Sequence, residues 1–390
     1  MRLHRVVLLG LLSLLAGCSS VGETVSGWFS TTDKTVIPPA PLVQFQQSIN
    51  TIKVWSRGTG DGTDEQYLKL SPVVANQRIY VVDTDGELTA MDATNGKTIW
   101  SKDTDARITG GPGYGEQTVL VGTGKGKVLA FDAETGKRLW QTQLSSEILS
   151  APQRSGNIVV VRSMDGKVFG LNAANGNRLW VYDRPVPPLS LRGTGTPVID
   201  SGTVIAGFDG GRLTALDLAS GRLLWEARVA TAKGTSELER MVDIDSTPEI
   251  LDGVIYVASF QGQLAAIQMA TGRLLWTRDI SSYAGFCVDA SSVYVSDDQS
   301  NVTAFDRYNG NQLWQQDKMH GRAVTAPACI DDYLVVGDLQ GYLHWMSKTD
   351  GHFVARDQVS DQRIIAAPVV AGRFLYVYDS DGELAAYTYR

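Results

Sequence analysis

The chain has 390 residues, 43% of them hydrophobic and 20% charged, with 40 glycines and a formal charge of −7. That composition is ordinary for a globular protein but rich in glycine, as an all-β chain with many tight turns requires. The negative balance excludes a phosphate-tracking basic surface, so nucleic acid is not expected as a partner.

The first element is residues 1–17. Arg2 and Arg5 precede an apolar run from Val6 to Leu15, which leads into Leu15-Ala16-Gly17-Cys18. A basic start, a short apolar core and small residues before a cleavage point make an export signal. The core is too short to remain as a membrane-spanning helix. A cysteine directly after Leu-Ala-Gly resembles the lipobox of bacterial lipoproteins. That resemblance implies cleavage before Cys18 and lipidation of its thiol. With Ser19 rather than aspartate next, it also implies sorting to the outer membrane. Acyl chains would then hold the protein on a membrane without any transmembrane helix.

Residues 18–45 hold many Ser, Thr and Val together with Pro38, Pro39 and Pro41, and show no sustained period. They are expected to be a loosely ordered tether, with the folded body over 46–390.

From Pro72 onward a fixed ruler governs the chain. Pro72, Gly86 and Trp100 are spaced fourteen residues apart, and Pro112, Gly126, Trp140 repeat the spacing. Pro152-Gly166-Trp180, Pro197-Gly211-Trp225 and Pro248-Gly262-Trp276 follow. A period of about forty residues marks stacked supersecondary units. Within the first unit, Val73-Val74 lead to a turn at Asn76-Gln77, and Ile79–Val82 make a second strand. Asp85-Gly86 is a hairpin signal. Residues 88–92 make a third strand, Asn95-Gly96 turns again, and Ile99-Trp100 opens the fourth.

A four-stranded sheet repeated radially is a β-propeller blade, an arrangement with few exposed edges. Separate β-sandwiches would not require a tryptophan at one phase of successive units. Trp55, Trp100, Trp140, Trp180, Trp225, Trp276 and Trp314 are therefore assigned to packing between neighbouring sheets.

Later units drift. In the sixth, Phe286 replaces proline and Ser300 replaces glycine. In the seventh, Pro327 and Gly341 are kept but Ala355 stands in the tryptophan slot. The eighth begins with Pro368 and Gly382, and the sequence stops at Arg390 before its tryptophan. Ile52, Val54 and Trp55 supply the missing strand. The expected fold is thus all-β, an eight-bladed propeller whose ring is closed by the N-terminal strand completing the C-terminal blade.

Cys287 and Cys329 lie near the starts of first strands in neighbouring units. In an oxidising compartment they could pair, but two cysteines are no disulfide scaffold. The expectation is two buried small apolar residues.

Catalytic signatures are scarce, and no catalytic, metal or cofactor site is assigned. His320, His344 and His352 lack metal-ligand spacing. There is no G-x-S-x-G elbow and no phosphate loop. Gly122-Thr-Gly124-Lys-Gly126 falls on a repeated hairpin. Asp83-Thr-Asp85-Gly86 and Asp379-Ser-Asp381-Gly382 lack the remaining ligands of a calcium loop.

The motif A-x-D-x-x-x-G-x-x-x-W, as in Ala90 through Trp100 and Ala304 through Trp314, resembles the repeats of pyrroloquinoline-quinone dehydrogenases. The resemblance implies a propeller with tryptophan docking between blades. Those enzymes pair adjacent cysteines with calcium, and no adjacent cysteines occur here. A quinone- or metal-dependent dehydrogenase is accordingly the alternative reading.

Loop length points elsewhere. From tryptophan to the next proline is twelve residues after Trp100 and Trp140, seventeen after Trp180 and twenty-three after Trp225. Two long neighbouring loops thus rise on one rim, and loops on a rigid scaffold are where binding usually resides. The first carries Leu189, Leu191 and Arg192, and the second Asp243 and Asp245. Leucine beside arginine suits an interface anchor, and the aspartates suit a basic partner.

Lipobox, tether, eight repeats, Leu189-Ser-Leu-Arg-Gly193 and Glu239-Arg-Met-Val-Asp-Ile-Asp-Ser-Thr-Pro248 together resemble the BamB family of outer-membrane protein assembly factors. The family implies a non-enzymatic lipoprotein on the periplasmic side of the outer membrane, within the Bam complex. Its implied partner is the POTRA region of the central barrel subunit, BamA, with contacts at Leu189, Leu191, Arg192, Asp243 and Asp245. A further expectation is that strand edges or a concave face receive unfolded outer-membrane proteins by strand addition.

Overall fold

The tryptophan ruler folds into eight sheets. The computed structural model describes residues 38–390 except 65, 186–194, 232–235 and 237–240. Among the described residues there are thirty-two strands and no helix, arranged as eight four-stranded antiparallel sheets. Seven sheets take their strands in chain order. Blade 1, for example, is Val73–Ala75, Arg78–Val82, Glu87–Asp92 and Thr98–Asp103.

Blade 8 differs, because Thr51–Gly58 pairs with Glu383–Tyr389 from Thr51↔Tyr389 to Gly58↔Glu383. The expected closure of the ring is therefore present. The second and third strands are the buried centre of each sheet, and hydrophobic clusters fill the space between successive blades.

Each of the seven repeat tryptophans docks on the next blade. The indole N–H of Trp100 donates to Ala133 O at 3.1 Å, Trp140 to Ala173 O at 2.8 Å, and Trp225 to Met269 O at 2.8 Å. Trp55 closes the circle by donating to Ala93 O at 3.1 Å. The ring of Trp55 lies on Gly96, in the turn between the third and fourth strands of blade 1. Gly96 has φ +70°, and a Cβ there would sit 2.6 Å from the indole. Glycine is thus required twice, for the left-handed turn and for the close approach.

Ala355 in the tryptophan slot now has a physical reason. An indole needs such a turn on the following blade to receive it. In blade 8 the third strand ends at Tyr389 and the fourth comes from the other end of the chain, so that turn does not exist. The large and small residues have changed places instead. Elsewhere the tryptophan faces alanine or glycine across the strand pair, as in Ala90↔Trp100 and Gly170↔Trp180. Blade 7 has Trp345↔Ala355, and Trp345 is fully buried against Tyr389, ring centroids 5.8 Å apart.

The segment before the first strand is already bound to the ring. Ala40–Arg390 is one compact unit. Ala40 N–H donates to His320 O, Ser48 N–H to Val354 O, and Arg322 Nη1 to Ala40 O. Phe45 stacks on Phe353 with centroids 5.5 Å apart, and Arg356 lies beside the pair, 5.0 and 5.4 Å from their centroids, and donates to Val43 O. His344 belongs to this network. Its Nδ1 accepts from Arg356 Nε at 3.3 Å, which leaves Nε2–H to donate to Asp338 at 2.8 Å. Burial lowers its pKa, so the imidazole is held neutral.

Cys287 and Cys329 form a disulfide joining the first strands of blades 6 and 7, with Cα atoms 6.1 Å apart. This corrects the expectation of two independent buried thiols. Adjacent first strands of a propeller converge on the axis, which brings side chains from neighbouring repeats within bonding reach.

Candidate functional site: the rim over blades three and four

Connections between blades run along the face that carries the second-to-third-strand hairpins. Among the described residues, several are clamped between two hairpins. After blade 2, Ile148 N–H donates to Thr123 O of its own blade, while Glu147 O accepts from Met164 of the next. The long connection after blade 4 ends in the same clamp. Ile244 N–H donates to Phe208 O at 3.4 Å, Asp243 O accepts from Phe260 N–H at 2.9 Å, and Asp243 forms an antiparallel bridge with Asp209.

Of the residues expected to bind a partner, Leu189, Leu191 and Arg192 lie outside the described residues. Asp243 and Asp245 are brought together, but they turn inward. Asp243 is 1% exposed, and its Oδ1 accepts the Gly210 N–H at 3.3 Å. Asp245 is partly exposed as a residue, yet both its carboxylate oxygens are buried without a hydrogen-bond partner. Burial raises its pKa to about 7; Arg162 opposes the shift, and Asp243 and Asp209 add to it. Solvated acids offered to a basic partner would have had neither feature.

The charge they face is Arg162, the last residue of the second strand of blade 3 (Ile158–Arg162). Its guanidinium is 2% exposed, pairs with Asp209 at 3.3 Å, and lies 5.1 Å from the centroid of Phe208. Burial pulls its pKa down, against the attraction of Asp209, Asp245 and Asp243. Arg184, at the root of the long loop after blade 3, stacks on the same ring at 5.9 Å and also pairs with Glu226. Arg212 shares that Glu226. Phe208 therefore joins the described roots of both long loops.

Neither Arg162 nor Phe208 was singled out from the sequence, although a signal existed. Four residues before the hairpin glycine the other blades carry small or uncharged residues, such as Val82, Gly122, Gly207 and Ala258. One residue later most blades carry a side chain that caps the hairpin. Asp83 accepts from Gly86 and Glu87, and Ser259 accepts from Gln263. Blade 3 breaks the first rule with Arg162, and blade 4 breaks the second with Phe208.

On the same face, the connection from Trp55 to Pro72 is a third long loop, seventeen residues like that after Trp180. It reaches across the axial channel to blade 6. Lys69 Nζ donates to Tyr283 O at 2.6 Å and Ala284 O at 3.2 Å, and Tyr67 meets Tyr283 edge-on at 6.5 Å. The channel is a cavity of about 600 Å³ lined by every blade, with Lys69, Asp245 and Glu249 on its wall. Burial raises the Glu249 pKa to about 7, against the Val288 N–H it accepts. Among the described residues no group of three or more His, Cys, Asp or Glu is placed to hold a metal ion.

Comparisons with known proteins agree with this architecture. The profile of the family described as outer membrane protein assembly factor BamB matches residues 51–108, 84–316 and 299–390. The assembly factor BamB of Pseudomonas aeruginosa is 47% identical over 383 residues, spanning 98% of both chains. That of Escherichia coli K12 is 34% identical over 400 residues, spanning the whole of both. Among solved structures, BamB from Moraxella catarrhalis superposes with a TM-score of 0.80 at 30% identity, covering 87% of this chain and 99% of that one. A europium-containing methanol dehydrogenase superposes at 0.73 with 13% identity, covering 88% of this chain and 95% of its own, a likeness of fold alone.

Proposed function

The chain belongs to the BamB family of outer membrane protein assembly factors, and from that premise we propose that it is a non-enzymatic scaffold lipoprotein of the β-barrel assembly machinery. Residues 1–17 direct export, Cys18 carries the lipid, and the propeller stands on the periplasmic face of the outer membrane. Its partner is the POTRA region of the central barrel subunit BamA, docked at the rim over blades 3 and 4. The observation that carries this reading is the convergence of both long loops on one rigid base at Phe208 and Asp209. A rigid base lowers the ordering cost that a docking loop adds to association.

The direct test is binding of the purified mature protein to the periplasmic domain of BamA. The triple variant Leu189→Ala, Leu191→Ala, Arg192→Ala should lose at least tenfold in affinity with its thermal midpoint unchanged. Equal affinity of the folded variant would remove this rim as the docking site.

One observation favours a second activity, reception of extended segments of unfolded barrel proteins at blade edges. The residue before each tryptophan on the outer strands is exposed, from Val54 at 41% to Leu313 at 54%. Its counterpart in blade 7, Val354, is only 3% exposed, under the chain's own segment around Ser48. An outer edge can thus seat an extended chain. Blades 4 and 5 present paired leucines there, Leu223-Leu224 and Leu274-Leu275. Photocrosslinkers at these four positions should capture an unfolded barrel protein, and capture equal to that at exposed polar sites would refute the idea.

A further inference from the structure

We propose that the outer edges of blades 4 and 5 hold two open seats, at Leu223 and Leu274, for an aromatic side chain on an extended segment of an unfolded barrel protein. The inference rests on the edge-reception reading above and names what those two edges select: an aromatic ring at a fixed distance from the edge hydrogen bond.

The chain's own residues 43–48 show such a seat in use. On blade 7 they lie against the fourth strand, where Ser48 N–H donates to Val354 O at 2.9 Å. Three residues before Ser48, the ring of Phe45 stacks on Phe353, centroids 5.5 Å apart. Phe353 and Val354 are both buried beneath this occupant. Phe353 stands two residues before the tryptophan slot and faces Met346 across the strand pair. Leu223, facing Leu216, and Leu274, facing Ile267, hold the same place in blades 4 and 5. The other five blades carry Lys53, Thr98, Arg138, Arg178 and Gln312 there, none of which is apolar. An apolar seat thus exists on three blades, and one of the three is filled. In the other two, Leu223, Leu224, Leu274 and Leu275 are each 41% or 42% exposed.

The segment that fills blade 7 is matched to that blade. Arg356, which lies beside both rings and donates to Val43 O, is replaced by Glu226 in blade 4 and Thr277 in blade 5. Blades 4 and 5 are therefore left for a segment from another chain. Barrel strands supply one, because they are extended and carry aromatic residues in girdles on the outward face. A ring laid on the leucine pair takes apolar surface of both partners out of water.

The experiment uses the mature protein with a photocrosslinker at Leu224, Leu275 or Leu313, and a urea-unfolded outer-membrane barrel protein as the probe. Capture at Leu224 and Leu275 no greater than at exposed polar sites removes the parent reading by itself. Given that capture, Leu313 separates a seat from general stickiness. It is 54% exposed but follows Gln312, so stickiness would make it at least the equal of Leu224 and Leu275. A seat requires it to capture about fivefold less. Leu223→Ser read at Leu224, and Leu274→Ser read at Leu275, should each lower capture about fivefold with the thermal midpoint unchanged. Threonine at the same positions stands in if a serine variant does not fold. Gln312→Leu should raise capture at Leu313 to the level of the other two. Replacing the probe's aromatic residues by leucine should lower capture at Leu224 and Leu275 about threefold and leave Leu313 unchanged. Capture at Leu313 or by a folded serine variant within about twofold of the wild-type level at Leu224 overturns the proposal. So does capture that ignores the loss of the probe's aromatic residues, or that joins two copies of this protein instead of the probe.

Discussion

Trp55→Ala probes the seam that closes the ring. The indole is 7% exposed, rests on Gly96 of blade 1 and donates to Ala93 O at 3.1 Å. Truncating a buried tryptophan to alanine costs about 3–5 kcal/mol. The Ala93 carbonyl keeps a donor, the Tyr376 hydroxyl at 3.0 Å, so no orphaned acceptor adds to that cost. The lower end, about 3 kcal/mol, is therefore expected.

The seam has little to spare. Thr51 pairs with Tyr389, and joining segments roughly 330 residues apart costs about 3 kcal/mol more than closing a hairpin of roughly ten. Against a total stability of about 5–15 kcal/mol, the variant should lose a fifth or more of its folding free energy. In urea the midpoint should fall by about 1 M at constant slope. Amides of 51–58 and 383–389 should lose protection before those of blades 3 to 5. A midpoint within about 0.2 M of wild type would refute closure by the indole.

Three further outcomes follow from the same geometry. Ala355→Trp, which restores the repeat, should destabilise by about 1–3 kcal/mol, because Trp345 already fills the space and blade 8 has no turn to receive a second indole; a gain in thermal midpoint would contradict this. Reduction of Cys287–Cys329, or its replacement by serines, should cost about 4 kcal/mol for a crosslink spanning 42 residues, read as a lower thermal midpoint with reductant. Asp245 has a folded pKa of about 7 against 3.8 for the free side chain. The folded state therefore binds its proton more tightly. The stability this supplies is complete below pH 3.8 and is lost as pH rises towards 7. Asp245→Asn should flatten the fall in stability across that window, and an unchanged pH profile would show that the carboxylate is not buried as described.

The propeller was legible because its signal is local and repeated. Proline, glycine and tryptophan at fixed phase specify strand starts, left-handed turns and docking indoles within each unit, and the short eighth unit exposed the closure by Trp55. The substitution at Ala355 was visible in the sequence, but its cause was not. The cause is the absence of a turn in blade 8, which follows from where the chain breaks within the ring.

Side-chain direction at the rim was a matter of tertiary structure. Asp243 and Asp245 look like surface acids in a long polar loop. They turn inward to face Arg162, eighty-one residues from Asp243 in sequence, whose guanidinium lies over Phe208 of another blade. The same holds for Cys287 and Cys329, which meet only because first strands converge on the axis. Periodicity determined which residues form each blade. Which charges and thiols meet was decided by the ring, since those contacts join blades that the repeat describes one at a time.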